Sequence, residues 1–201
     1  MNKILKLLGY IKLFFYKIRG VKIELDFPIF FHPKARIIIR GKNAKINFNY
    51  NCQISKNCKI IIDENGELEF GRDVVLLENC YVEVGKKANL KIGNKSFLNE
   101  LCRIICLEYV NIGENVAIGP DVYIFDNDHV MEKDKMIEWD KFKSSKIEIE
   151  NNVWIGAKSV ILRGSKIGHN SVIAAMSVVK FEVKENNIFY INKENIFKEI
   201  K

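Results

Sequence analysis

Ile155, Ile161, Ile167, Ile173 and Val179 return aliphatic character at every sixth residue, within WIGAKSVILRGSKIGHNSVIAAMSVV. A strand alternates with period two and an amphipathic helix with period 3.6, so neither alone sustains a period of six. A solenoid does, if short flat strands are joined by tight corners and each turns one aliphatic side chain inward. The ladder extends upstream through Ile112, Ile118, Ile124 and Val130, then Ile92, Leu98, Ile104 and Val110, then Phe70, Leu76 and Val82. Phe48, Ile54 and Ile60 form the faintest run, with Cys52 and Cys58 in a parallel six-spaced set. Where runs meet they slip by two residues, Val82 to Val84 and Val110 to Ile112, which reads as corners gaining or losing residues. The expected fold is an all-β solenoid.

A chain of 201 residues with 3 Pro and 12 Gly has no Pro/Gly-rich linker, so one elongated core is expected. Cys52, Cys58, Cys80, Cys102 and Cys106 are odd in number and form no CxxC pair. They read as small buried rungs in a reducing compartment, which predicts a cytoplasmic location. The formal charge of +7 is spread among 25 acidic residues, apart from the N-terminal segment, and no nucleic-acid motif accompanies it. Nucleic acid is not an expected partner.

Residues 1–20 differ from the rest. Ile4, Leu7, Leu8, Ile11, Phe14, Phe15 and Ile18 fall at helical spacing, with Lys3, Lys6, Lys12, Lys17 and Arg19 off or beside that stripe and Gly20 as a helix stop. Lys12 interrupts the apolar run and no small-residue cleavage site follows, so a signal peptide is not expected. The segment is also too short and too charged to span a bilayer. Two readings stand: a helix covering the open edge of the first coil, or an interfacial helix with its lysines against anionic head groups. The second would place the protein at the inner face of the cytoplasmic membrane. Residues 21–183 are expected to form the solenoid, and residues 184–201 a polar tail with a short hairpin or helix.

The rhythm stops after Val130, and MEKDKMIEWDKFKSSK follows before Ile147, Ile149 and Ile155 restore it. A polar insert of this kind (about 131–146) must project as a loop, and solenoid insertions often map to the binding face. Phe125-Asp126-Asn127-Asp128-His129 precedes it. A histidine flanked by two acids at the root of a projecting loop is a site candidate by location.

The segments IGENVAIGPDVYIFDNDH and VWIGAKSVILRGSKIGHNSVIAAMSVV resemble the hexapeptide-repeat acyltransferases, in the branch that O-acetylates sugars. Galactoside and maltose acetyltransferases belong there, with enzymes that decorate capsule, lipopolysaccharide or exopolysaccharide units. The resemblance implies a left-handed parallel β-helix, a homotrimer with active sites between neighbouring subunits, acetyl-CoA as donor, and a sugar or glycan acceptor. His129 matches the family's catalytic histidine, which implies general-base work on an acceptor hydroxyl and return of the proton to the departing thiolate. Asp126 or Asp128 would orient the imidazole, with Asp128 preferred.

Asn99 matches an asparagine that hydrogen-bonds the acceptor. Trp139 is expected either to stack on sugar or pantetheine or to bury itself on a neighbouring subunit. Trp154 resembles the tryptophan of the VWIG segment, whose role is structural or donor-lining. Gly156, Ala157, Ala174 and Ala175 match small positions along the pantetheine arm, and Lys158, Lys166 and Lys180 are candidates to meet CoA phosphates. The chain departs from the family at two corners: Arg163-Gly164-Ser165 stands for PGV, and Ala174-Ala175-Met176 brings a bulky residue to a position usually held by glycine. A zinc site is not expected: His32 lies before the repeats, His169 reads as a solvated corner, and no second histidine lies near His129. Alternatives are N-acetylation of an amino sugar and a catalytically silent trimeric scaffold built on degenerate early coils.

Overall fold

The structure, a computed structural model, describes residues 3–18, 21–131, 136 and 138–191. Among them, three parallel sheets of eight, eight and seven strands form the faces of a solenoid, with a two-stranded antiparallel ribbon beside it. Face one runs from Lys22–Leu25 to Glu182–Val183, face two from Phe30–Phe31 to Ile188–Phe189, and face three from Arg36–Arg40 to Val178–Val179. Each strand pairs with its counterpart one coil on. Leu68 lies beside Leu90, Leu90 beside Val110, and Ile149 beside Ile167, so coils shorten from 22 to 20 to 18 residues along the chain.

The inward residues form one continuous core, aromatic at its start, where Phe48 stacks on Phe70 with centroids 5.0 Å apart. Corners are turned by residues in the left-handed region, many of them asparagines, whose short polar side chains tolerate that conformation. Met176 is one of these, at φ 60°. That conformation explains why glycine suits the position, and the Met176 side chain points outward.

Four sequence expectations change here. The two-residue slips are not corner insertions: Val82 and Val84 share the strand Tyr81–Val84, and Val110 and Ile112 share Tyr109–Ile112. Alternation turns both members of each pair inward, so the slip is the strand's own period of two. Val130 is not a rung, because its N–H donates to Lys141 O in the ribbon. The early coils are complete rather than degenerate. They look faint because five-residue strands such as Lys59–Asp63 bury Ile60 and Ile62 together and break the six-residue rhythm. Finally, Ile188–Phe189 pairs in parallel with Val172–Ile173, so the solenoid continues past 183 into the segment expected as a polar tail. Residues 192–201, like Arg19 and Gly20, lie outside the described residues.

The helix α1 (Lys3–Ile18) covers the first coil. Leu13 is fully buried, and the Lys12 ammonium donates to Pro33 O and Ala35 O, both at 2.7 Å. The Tyr16 hydroxyl accepts the N–H of Ile37. Gly9 is required by close approach, since a Cβ there would fall 2.0 Å from Phe31 O. The inward stripe is therefore Gly9 and Leu13, with Tyr16 half-buried, while the Ile4–Ile18 stripe faces outward. No described helix is long and apolar enough to cross a membrane.

Candidate active site

Chain insertion after the face-three strand Tyr123–Phe125 creates the site. The strand Asn127–His129 leaves the solenoid and pairs antiparallel with Phe142–Ser144, placing His129 opposite Phe142. The projecting loop is thus a ribbon at its stem, rooted at the corner between face three and face one. Asp126 sits at that root and is 0% exposed. Its carboxylate accepts the backbone N–H groups of Leu107 (2.8 Å), Glu108 (2.8 Å) and Tyr109 (3.0 Å), and the Asn127 side-chain amide at 3.1 Å. A single buried carboxylate thereby satisfies a turn of the preceding coil, which would otherwise hold unpaired donors.

Strand alternation then separates Asp128 from His129. Asp128 turns back toward the solenoid, where Arg163 Nε lies 2.5 Å from it and Lys180 Nζ 3.7 Å. The Arg163 guanidinium, with Lys180 behind it, holds the Asp128 carboxyl below the usual carboxylate range. His129 turns the other way and lies against Phe142, with centroids 4.6 Å apart, and edge-on to Trp139 at 5.6 Å. Neither aspartate orients the imidazole, contrary to the sequence expectation. Consecutive strand residues face opposite sides, and both carboxylates are occupied elsewhere.

Three of the remaining candidates lie at another corner. Asn99, Gly156 and Ala174 stack in one column between faces two and three, linked by N–H donation to the coil that follows. Asn99 Oδ1 accepts the N–H of Glu100 at 2.8 Å. Gly156 is small because a Cβ would fall 2.4 Å from Ala175 N in the next coil, a packing requirement that exists without any ligand. Trp154 stands exposed on face two beside Ala117 and Val172. Ala157, Lys158 and Ala175 lie in the turns that follow face two, Lys158 with φ 59°. Lys180 does not join them, because it lies beside Asp128. Lys166 faces Glu182 and Glu150 on face one, and His169 lies 2.9 Å from Glu185. From Lys158 to Arg163 the chain crosses face three, roughly 16 Å at about 3.3 Å per residue. Within one chain, the histidine and the small-residue column are a full face apart.

Residues 146–180 match the family described as bacterial transferase hexapeptide (six repeats). That segment carries the family's repeat, and the match spans 146–180 alone. Against curated sequences it is 43% identical over 47 residues to a galactoside O-acetyltransferase of Lactococcus lactis, a match spanning 23% of each chain. Among solved structures it is similar to a hexapeptide-repeat acetyltransferase of Vibrio cholerae in complex with acetyl coenzyme A. That match has 30% identity and a TM-score of 0.54, and covers 59% of this chain and 63% of that one. The polysialic-acid-specific acetyltransferase NeuO shares the fold, with a TM-score of 0.63 at 17% identity over 88% of this chain and 80% of that one. The chain thus spans less than two thirds of the length of the relatives with the higher identities.

Two site residues escaped the sequence reading. Phe142, which packs on His129, is one of two aromatic residues in the polar insert, and nothing local in the sequence sets it against the histidine. Arg163 was noted only as a departure at a corner, although a basic residue substituting for proline next to the repeat that follows the loop was a usable signal.

Proposed function

We propose that the chain moves an acetyl group from acetyl-CoA to a hydroxyl of a sugar or glycan, with His129 as general base. The observation that carries this reading is the placement of His129. The ribbon holds it at the edge of face three, exposed, with its ring in contact with Phe142 and Trp139. An imidazole held by apolar rings keeps a nitrogen available to take a proton from an acceptor and pass it to a leaving thiolate. The column of Asn99, Gly156 and Ala174, with Trp154 on face two and Ala157, Lys158 and Ala175 in the adjoining turns, is the donor and acceptor surface in this reading. Because it lies across face three from His129, the site is completed by a second copy of the chain. The left-handed, trimeric assembly implied by the family resemblance supplies such a neighbour. Five buried free thiols accord with a cytoplasmic setting.

The test is acetyl-CoA turnover, followed as free-thiol release, with a panel of sugars, amino sugars and lipid-linked glycans. Acceptor-dependent release that falls by about 10²-fold or more in His129→Ala supports the reading. Release indifferent to that substitution overturns the assignment of the base, and transfer restricted to amino sugars would make the enzyme an N-acetyltransferase.

A further inference from the structure

We propose that the outer face of α1 docks the protein on an anionic phospholipid surface. Capping the solenoid uses only the side of the helix that carries Gly9, Leu13 and Tyr16. On the opposite side Leu7, Leu8, Ile11, Phe14 and Ile18 stand 46–66% exposed, a contiguous apolar stripe of large side chains. Stripes of this kind on a soluble surface mark an interaction site. Lys3, Lys6 and Lys17 lie along one edge of it.

Charge selects the occupant. The helix, KILKLLGYIKLFFYKI, contains no acidic residue. Pairing with the same helix of a second copy would therefore set lysine against lysine with no carboxylate between them. Anionic head groups supply the missing charge, while the acyl region accepts the leucines and phenylalanine. At about 1.5 Å per residue the helix is roughly 24 Å long, shorter than the ~30 Å hydrocarbon core, so it lies in the interface plane. Its other side remains fastened to the first coil, through Lys12 and Leu13, so docking does not require the cap to open. The inference is independent of acetyl transfer.

The experiment is co-sedimentation of the full chain with vesicles of phosphatidylcholine alone and of an equal mixture of phosphatidylcholine and phosphatidylglycerol. The wild type is expected to partition onto the mixed vesicles, and added salt should release it. Ile11→Glu/Phe14→Glu should lose binding at unchanged thermal stability, because both side chains point away from the solenoid. Lys3→Gln/Lys17→Gln should weaken it about fivefold for each lysine neutralised. A wild type that stays in the supernatant, or variants that bind as well as it does, would overturn the proposal. So would ultracentrifugation showing that Ile11→Glu/Phe14→Glu dissociates an assembly, which would assign the stripe to a second copy.

Discussion

Replacing Asp126 separates a structural carboxylate from a catalytic one. Asp126 Oδ1 accepts the N–H of Leu107 and the side-chain amide of Asn127, and Oδ2 accepts the N–H groups of Glu108 and Tyr109. Asp126→Ala leaves three backbone donors at the root of the ribbon without their acceptor, each worth about 1–3 kcal/mol when stranded. The losses share one turn that can relax, so the sum is set toward the lower end, about 3–5 kcal/mol. For a chain of this size that lowers the melting temperature by roughly 6–20 °C. Asp126→Asn should not rescue it. Whichever way the amide is placed, its NH2 group meets N–H donors on one side, so at least one bond is lost and a repulsive contact made. Calorimetry gives the overall cost, and amide exchange localises it, with Leu107, Glu108 and Tyr109 opening first. If Asp126→Asn melts within about 1 kcal/mol of wild type, with those amides still protected and thiol release down a hundredfold, Asp126 acts on the chemistry and the capping argument fails.

Two further outcomes follow from the same geometry. Because Arg163 and Lys180 lower the Asp128 pKa, its contribution to stability is complete above the unfolded-state value near 3.9 and fades as pH drops through the folded-state value. Asp128→Asn should flatten that acid limb of a stability–pH curve and cost only about 0.5–1 kcal/mol at neutral pH, since the pair is solvent-screened; an unchanged limb would refute the pairing. In the corner column occupied by Cys58, Cys80 and Cys102, later coils carry Ser159 and Ser177, and Cys80 Sγ donates to Asn99 O as Ser159 Oγ does to Ala174 O. Cys80→Ser should therefore cost less than about 1 kcal/mol and Cys80→Leu about 1–3 by overpacking, and denaturation midpoints that reverse this order would count against a packing role.

The solenoid was legible because its cause is local. One inward aliphatic per short strand, followed by a turn-tolerant residue, is a one-dimensional pattern, and Ile155 to Val179 display it without interruption. The interruption after Val130 was legible for the same reason, and it located the ribbon and His129. Where strands lengthen, as at Lys59–Asp63, the period of two inside the strand overrides the period of six between strands, and the pattern fades while the coil remains intact. α1 was ambiguous because apolar residues occupy both of its sides, and periodicity does not say which side meets the core.

Site partnerships were illegible because they cross coils. Asp126 serves amides 17 to 19 residues earlier, and Asp128 meets an arginine 35 residues later. Adjacency suggested that these acids attend His129, but a strand sends neighbours to opposite sides. The sequence by itself determined that this chain coils, where the coil is interrupted, and which histidine stands at the interruption. Only the tertiary structure decided which groups face that histidine, which side of the helix stays bare, and that the small-residue column lies a face away. Stacking brings residues a full coil apart into contact, and no local pattern records that register.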